Sequence, residues 1–91
     1  MSVHVRVPTI LRSYTDGASE VTVEGSTLST VLDALEASYP GIRSRIVDET
    51  GELRRFVNVY VGNDDVRFLD NLATPTPEGT QISVIPAVAG G

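Results

Sequence analysis

The order of signals along the chain is strand, strand, helix, strand, short strand, strand. It predicts a small α+β domain, a mixed sheet of four to five strands packed on one main helix. Three observations lead there. Apolar residues recur with period two near both ends of the chain and again after Phe56. A single confident stretch, from Leu28, follows the 3.6-residue helical period. The 91 residues suffice for one core that buries somewhat over about 60% of the unfolded surface, with no room for a second.

Val3, Val5 and Val7 alternate with His4 and Arg6 as a half-buried strand that Pro8 closes. His4 falls on the polar face, and a lone histidine without partners makes no metal site, so no metal is expected. Ile10 and Leu11 are expected to pack over the sheet edge. Tyr14-Thr15-Asp16-Gly17 reads as a turn, after which Val21 and Val23 alternate with Glu20, Thr22 and Glu24 to complete a hairpin. Gly25-Ser26-Thr27 ends that strand, and either hydroxyl can cap a helix carrying Leu28, Val31, Leu32, Leu35 and Tyr39 on one face. Ser29, Asp33 and Glu36 lie opposite, as a solvated face, and Pro40-Gly41 ends the helix. Ile42 and Ile46 predict one further short helical turn, and Asp48-Glu49-Thr50-Gly51 a polar turn.

From Phe56 the period returns to two. Val57, Val59 and Val61 should face the helix, with Phe56, Asn58 and Tyr60 on the other side. Gly62-Asn63-Asp64-Asp65 turns the chain, Val66-Arg67-Phe68 reads as a short strand, and residues 71–79 as a Pro/Thr loop. Asp64-Asp65 lacks a histidine or third carboxylate and reads as turn residues. In the last strand Ile82 and Val84 point inward. Ile85 is left outside with Phe56 and Tyr60, an apolar cluster that forms a candidate partner-docking face.

Pro86 has no N–H to offer a sheet, so the strand is expected to stop there. Residues 1–85 then form the domain and residues 86–91 a flexible, protruding tail. Six residues reach at most about 20 Å, enough to cross the wall of a partner enzyme and enter its active site. Gly90 and Gly91, without Cβ, fit a channel that excludes other residues and leave the terminal carboxylate unhindered.

The totals narrow the function by exclusion. A formal net charge of −5 with seven scattered arginines argues against a nucleic-acid partner. The chain carries no long apolar run and no signal-peptide pattern, so a cytoplasmic protein with no membrane association is expected. Absence of cysteine removes disulfides, thiolate metal sites and thiol-borne thioesters or persulfides. Absence of lysine removes any side-chain amine for a Schiff base or isopeptide bond. No phosphate loop, Ser-His-Asp set or metal constellation appears, so the chain reads as something acted upon rather than as an enzyme.

This layout, with the ending GTQISVIPAVAGG, resembles the ubiquitin-like β-grasp sulfur carriers of the MoaD and ThiS family over nearly the whole chain. The segments VPTILRSYTDG and LRRFVNVYVGNDDVRFLDNLATP, with the PAVAGG ending, are most similar to the carriers of actinobacterial cysteine biosynthesis. Departures from the pattern fall at Gly62-Asn63 and at Thr80, away from the tail.

The resemblance implies that Gly91 is the reactive residue and that Val88, Ala89 and Gly90 are threaded into the partner. It also implies that no cofactor is bound and that ATP is used by the activating partner. A carboxylate with a pKa near about 3.5 is an anion and a poor electrophile at neutral pH. In the family a ubiquitin-activating-type adenylyltransferase and sulfurtransferase adenylates the terminal glycine, and sulfide or a persulfide displaces AMP to give a thiocarboxylate. For the most similar members the sulfur passes to an activated serine on a pyridoxal-phosphate cysteine-synthase homologue, and a metallopeptidase releases the cysteine. The alternatives are a molybdopterin synthase small subunit, a thiamin or secondary-metabolite sulfur donor, a ubiquitin-like modifier joined to lysines of other proteins, and an adaptor domain whose tail does nothing.

Overall fold

The computed structural model describes residues 2–86. Its strands are β1 (Ser2–Arg6), β2 (Glu20–Glu24), β3 (Val57–Val61), β4 (Asp64–Asp65) and β5 (Gln81–Pro86), and its helices are α1 (Leu28–Ser38) and α2 (Arg43–Ile46). They form one sheet in the order β2-β1-β5-β3-β4. The central β1–β5 pair is parallel and the other pairs antiparallel, as a mixed sheet requires. Alternation along the strands places Val3, Val5, Val21, Val23, Val57, Val59, Ile82 and Val84 in one core with Leu28, Val31, Leu32 and Leu35 of α1. Ile42 and Ile46, from the expected extra turn, close it. Among the described residues no helix is long and apolar enough to cross a membrane.

The helix begins where its hydroxyls predict. Thr27 accepts a hydrogen bond from the Thr30 N–H at 3.3 Å, and the Thr30 hydroxyl accepts from the Thr27 and Ser26 N–H groups, each at 3.0 Å. Such a cap contributes about 1 kcal/mol. Gly25 has to be glycine at this junction, because a Cβ there would lie 2.7 Å from both Cγ2 and the backbone nitrogen of Val31. The Pro/Thr segment covers the same helix end. Thr74 carbonyl accepts from Leu28 N–H at 3.0 Å, and the buried Thr76 donates its hydroxyl to Gly25 O at 3.1 Å.

The face of α1 expected to be merely solvated does more. Glu36 accepts from the N–H groups of Gly41 at 2.9 Å and Arg43 at 3.0 Å, and Asp33 pairs with Arg43 at 3.1 Å. These contacts staple α1 to α2 across the turn at Gly41, whose φ is +98°. The Gly41 N–H first, then that of Arg43, holds the Glu36 carboxyl below its ordinary value of 4.5. A lowered folded-state pKa contributes stability above the unfolded value, and that stability is lost as pH falls through the folded value. Glu36→Gln should therefore lower the melting temperature at neutral pH and flatten its dependence on pH below about 4.5. Parallel melting curves for variant and parent across that range would count against this role.

Three expectations are corrected. Ile10 does not cover the sheet edge with Leu11: it is 68% exposed, because the 3-10 turn of Thr9–Thr15 sends successive side chains in different directions. Val66-Arg67-Phe68 is a 3-10 turn rather than a strand, and the short strand is Asp64–Asp65. The Asp65 carboxylate accepts from the Arg67 N–H at 2.8 Å and caps that turn, burying Val66 and leaving Phe68 exposed. The last strand continues through Pro86, which lies opposite Val57. The Gly62 N–H donates to Gln81 O at 2.8 Å, which by alternation makes Val57–Pro86 a non-hydrogen-bonded pair where a missing N–H costs nothing.

Candidate functional site

The nominated face is built by register. Asn58 lies opposite Ile85 and Tyr60 opposite Ser83 on adjacent strands β3 and β5, so Tyr60 and Ile85 are diagonal neighbours on the outer side of the sheet. Their neighbours Val59 and Val84 are buried on the other side. Ile85 is 47% exposed, and Tyr60 is half-buried. Phe56, expected within the strand, stands one residue before it, 57% exposed, with the Arg55 guanidinium 6.0 Å from its ring centroid. The structure thus brings Tyr60 and Ile85 together and puts Phe56 at the end of their strand pair. Val88, Ala89, Gly90 and Gly91 lie outside the described residues.

Sequence reasoning missed the brace behind this face. Arg67 donates through Nη1 to Asn58 Oδ1 at 2.7 Å and through Nη2 to Arg54 O at 2.8 Å, which ties it to Asn58, the outward residue of β3 between Phe56 and Tyr60 in the chain. No local pattern announces a contact across nine residues and a turn.

The acidic groups with altered titration all do structural work elsewhere. The Ser2 hydroxyl, foremost, holds Glu24 below its ordinary value, and the Thr50 hydroxyl with the Glu52 N–H does the same for Asp48 inside its turn. His4 is half-buried on the outer face, its Nδ1 3.2 Å from the Thr22 hydroxyl. Among the described residues no group of three or more His, Cys, Asp or Glu could hold a metal ion. What the described part offers chemically is a surface: an apolar face at the end of β5, from which residues 87–91 continue.

Known proteins resemble the chain in sequence and in fold. The chain is 48% identical over 93 residues to the sulfur carrier protein CysO of Mycobacterium tuberculosis, covering 100% of both. A chain in the crystal structure of the Amycolatopsis orientalis BexX/CysO complex superposes with a TM-score of 0.93 at 43% identity, covering 98% of this chain and 99% of that one. Small archaeal modifier protein 3 of Haloferax volcanii is 40% identical over 68 residues, 75% of this chain and 73% of the relative. The fold is the ubiquitin-like β-grasp that the layout of strands and helix predicts. With the ThiS family model matching residues 5–91, from β1 through the whole sheet to the closing glycines, the chain belongs to the ThiS family.

Proposed function

We propose that this protein is a sulfur carrier in which Gly91 holds the sulfur, and that it serves cysteine biosynthesis. The observation that carries this reading is the 48% identity to a sulfur carrier protein along the entire chain. The composition supports it. A chain with neither cysteine nor lysine has no side-chain thiol or amine for carrying a group, whereas a backbone carboxylate needs neither.

The steps follow from carboxylate chemistry. A Gly91 carboxylate oxygen attacks the α-phosphorus of ATP on a ubiquitin-activating-type partner, and pyrophosphate leaves. Sulfide, or a persulfide later reduced, attacks the acyl carbon and AMP departs, leaving a thiocarboxylate. Its sulfur forms a bond to the β-carbon of a serine derivative whose phosphate or acetate has left, on a pyridoxal-phosphate enzyme. Transfer of the acyl group from sulfur to the amine leaves one cysteine attached through an amide to Gly91. Hydrolysis by a metallopeptidase frees it and restores the carboxylate. The protein is a co-substrate throughout, and its narrow Gly90-Gly91 segment suits both the activating and the hydrolysing site. The Amycolatopsis CysO is seen in complex with another protein, which supports a role played on partners.

The test is intact mass spectrometry. Loaded protein, mixed with a cysteine-synthase homologue and an activated serine, should end one cysteine residue heavier than the bare, unloaded chain. A return to bare carboxylate with dithiolene product, in the presence of a molybdopterin synthase large subunit and without adduct, would replace the cysteine reading. The likeness to small archaeal modifier protein 3 favours a second reading, attachment to lysines of other proteins. Gly-Gly remnants on lysines of the host proteome, dependent on this chain, would establish it.

A further inference from the structure

Beside the end of β5 lies a groove that the nominated face does not include. It is bounded by β1, β5 and the 3-10 turn of Thr9–Thr15, holds about 430 Å³, and has Ile10, Ile85, Pro8 and Pro86 as its apolar walls. Arg6 and Arg12 line it as well. Ile10 is the second most exposed large apolar side chain among those described, and it stands over this groove rather than over the core.

We infer that this groove docks a partner segment in which one apolar side chain is flanked by carboxylates. Charge makes the case. The chain as a whole carries −5, so an acidic partner is repelled by most of its surface, yet two of its seven arginines share this groove. Among the described residues neither makes an ion pair. Among the described residues the Arg6 guanidinium makes no hydrogen bond or ion pair, although Glu20 lies across from it in the strand register. Among the described residues Arg12 donates only its Nε, to Val7 O at 3.2 Å, and its terminal nitrogens keep their hydrogen-bonding capacity toward them. Guanidinium forks match carboxylates bidentately, and an open apolar trough between them takes an aliphatic side chain. The groove is continuous with the nominated face through Ile85, so one partner can cover both. The inference rests on the carrier reading only in assigning that segment to an enzyme that acts on Gly91.

The experiment does not depend on that reading. The full chain, labelled with nitrogen-15, is titrated with three probes: the peptide Asp-Glu-Leu-Asp-Glu, its twin Lys-Arg-Leu-Lys-Arg, and ATP. The acidic peptide should shift the amide signals of Ile10 and Ile85 saturably, and less strongly at high salt, while the basic twin should not. Arg6→Gln with Arg12→Gln should weaken the binding about tenfold, and Phe68→Ser, outside the groove, should leave it unchanged. Should the double variant not fold, Arg6→Gln alone must show a several-fold loss. The inference is overturned if the acidic peptide leaves those amides unmoved, if the basic twin binds as well, or if ATP shifts them at lower concentration than the peptide. Sulfur loading is scored separately. A chain that loads but ignores the peptide sinks the groove alone, and one that binds the peptide but never loads sinks the carrier reading alone.

Discussion

Adding a single alanine after Gly91 is expected to reduce sulfur loading by more than about a hundredfold. One residue displaces the terminal carboxylate by about 3.3–3.6 Å, whereas misplacing a reacting group by about 1 Å already costs on the order of a hundredfold. The carboxylate oxygen must reach phosphorus within about 3–3.5 Å, and no adjustment within the domain recovers the overshoot. Intact mass after incubation with the activating enzyme, ATP and sulfide reads the outcome as replacement of one oxygen by sulfur. An extended chain that loads at the parent rate, with no trimming beforehand, would show that Gly91 is not the acceptor. Gly90→Val should also load poorly, since a β-branched side chain crowds a narrow channel.

The second large effect separates the two sides of the sheet. Val59 is fully buried and lies opposite Val84, itself buried, so Val59→Asp puts a carboxylate where the surrounding side chains are apolar. The expected loss is about 4 kcal/mol or more, a large part of the roughly 5–15 kcal/mol that holds a domain together. Calorimetry should find no cooperative transition, or one shifted down by tens of degrees. Ile85→Ser and Tyr60→Ser, one strand position away on the outer face, should leave the melting temperature within a few degrees and instead weaken binding to the activating enzyme. Serine is the cleaner change at Tyr60, because its partner across the sheet is Asp65 and a new carboxylate there would add like-charge repulsion. If Tyr60→Ser unfolds the protein and Val59→Asp does not, the assignment of strand faces is inverted.

Periodicity alone determined most of this architecture. The inward valines, the helix from Leu28 with its threonine cap, and the extra turn at Ile42 and Ile46 all stand where spacing places them, because burial of one face selects the register. Wherever neighbours along the chain set the outcome, the sequence was legible. The departures share a different cause. Val66–Phe68 became a 3-10 turn because the Asp65 carboxylate met the Arg67 N–H. Pro86 stayed in the sheet because pairing parity spared its missing donor.

Glu36 became a staple only once α2 folded back onto α1, and Arg67 a brace only once the turn after β4 brought it to Asn58. The groove with Arg6 and Arg12 exists only because β1 and β5, far apart in the chain, pair in parallel at the centre of the sheet. Composition and the closing glycines pointed to a carboxylate-borne group without any structure, since they depend on which side chains the chain lacks. The surface beside that end had to wait for the tertiary fold, because hydrogen bonds and grooves between distant segments form only after the core has brought those segments together.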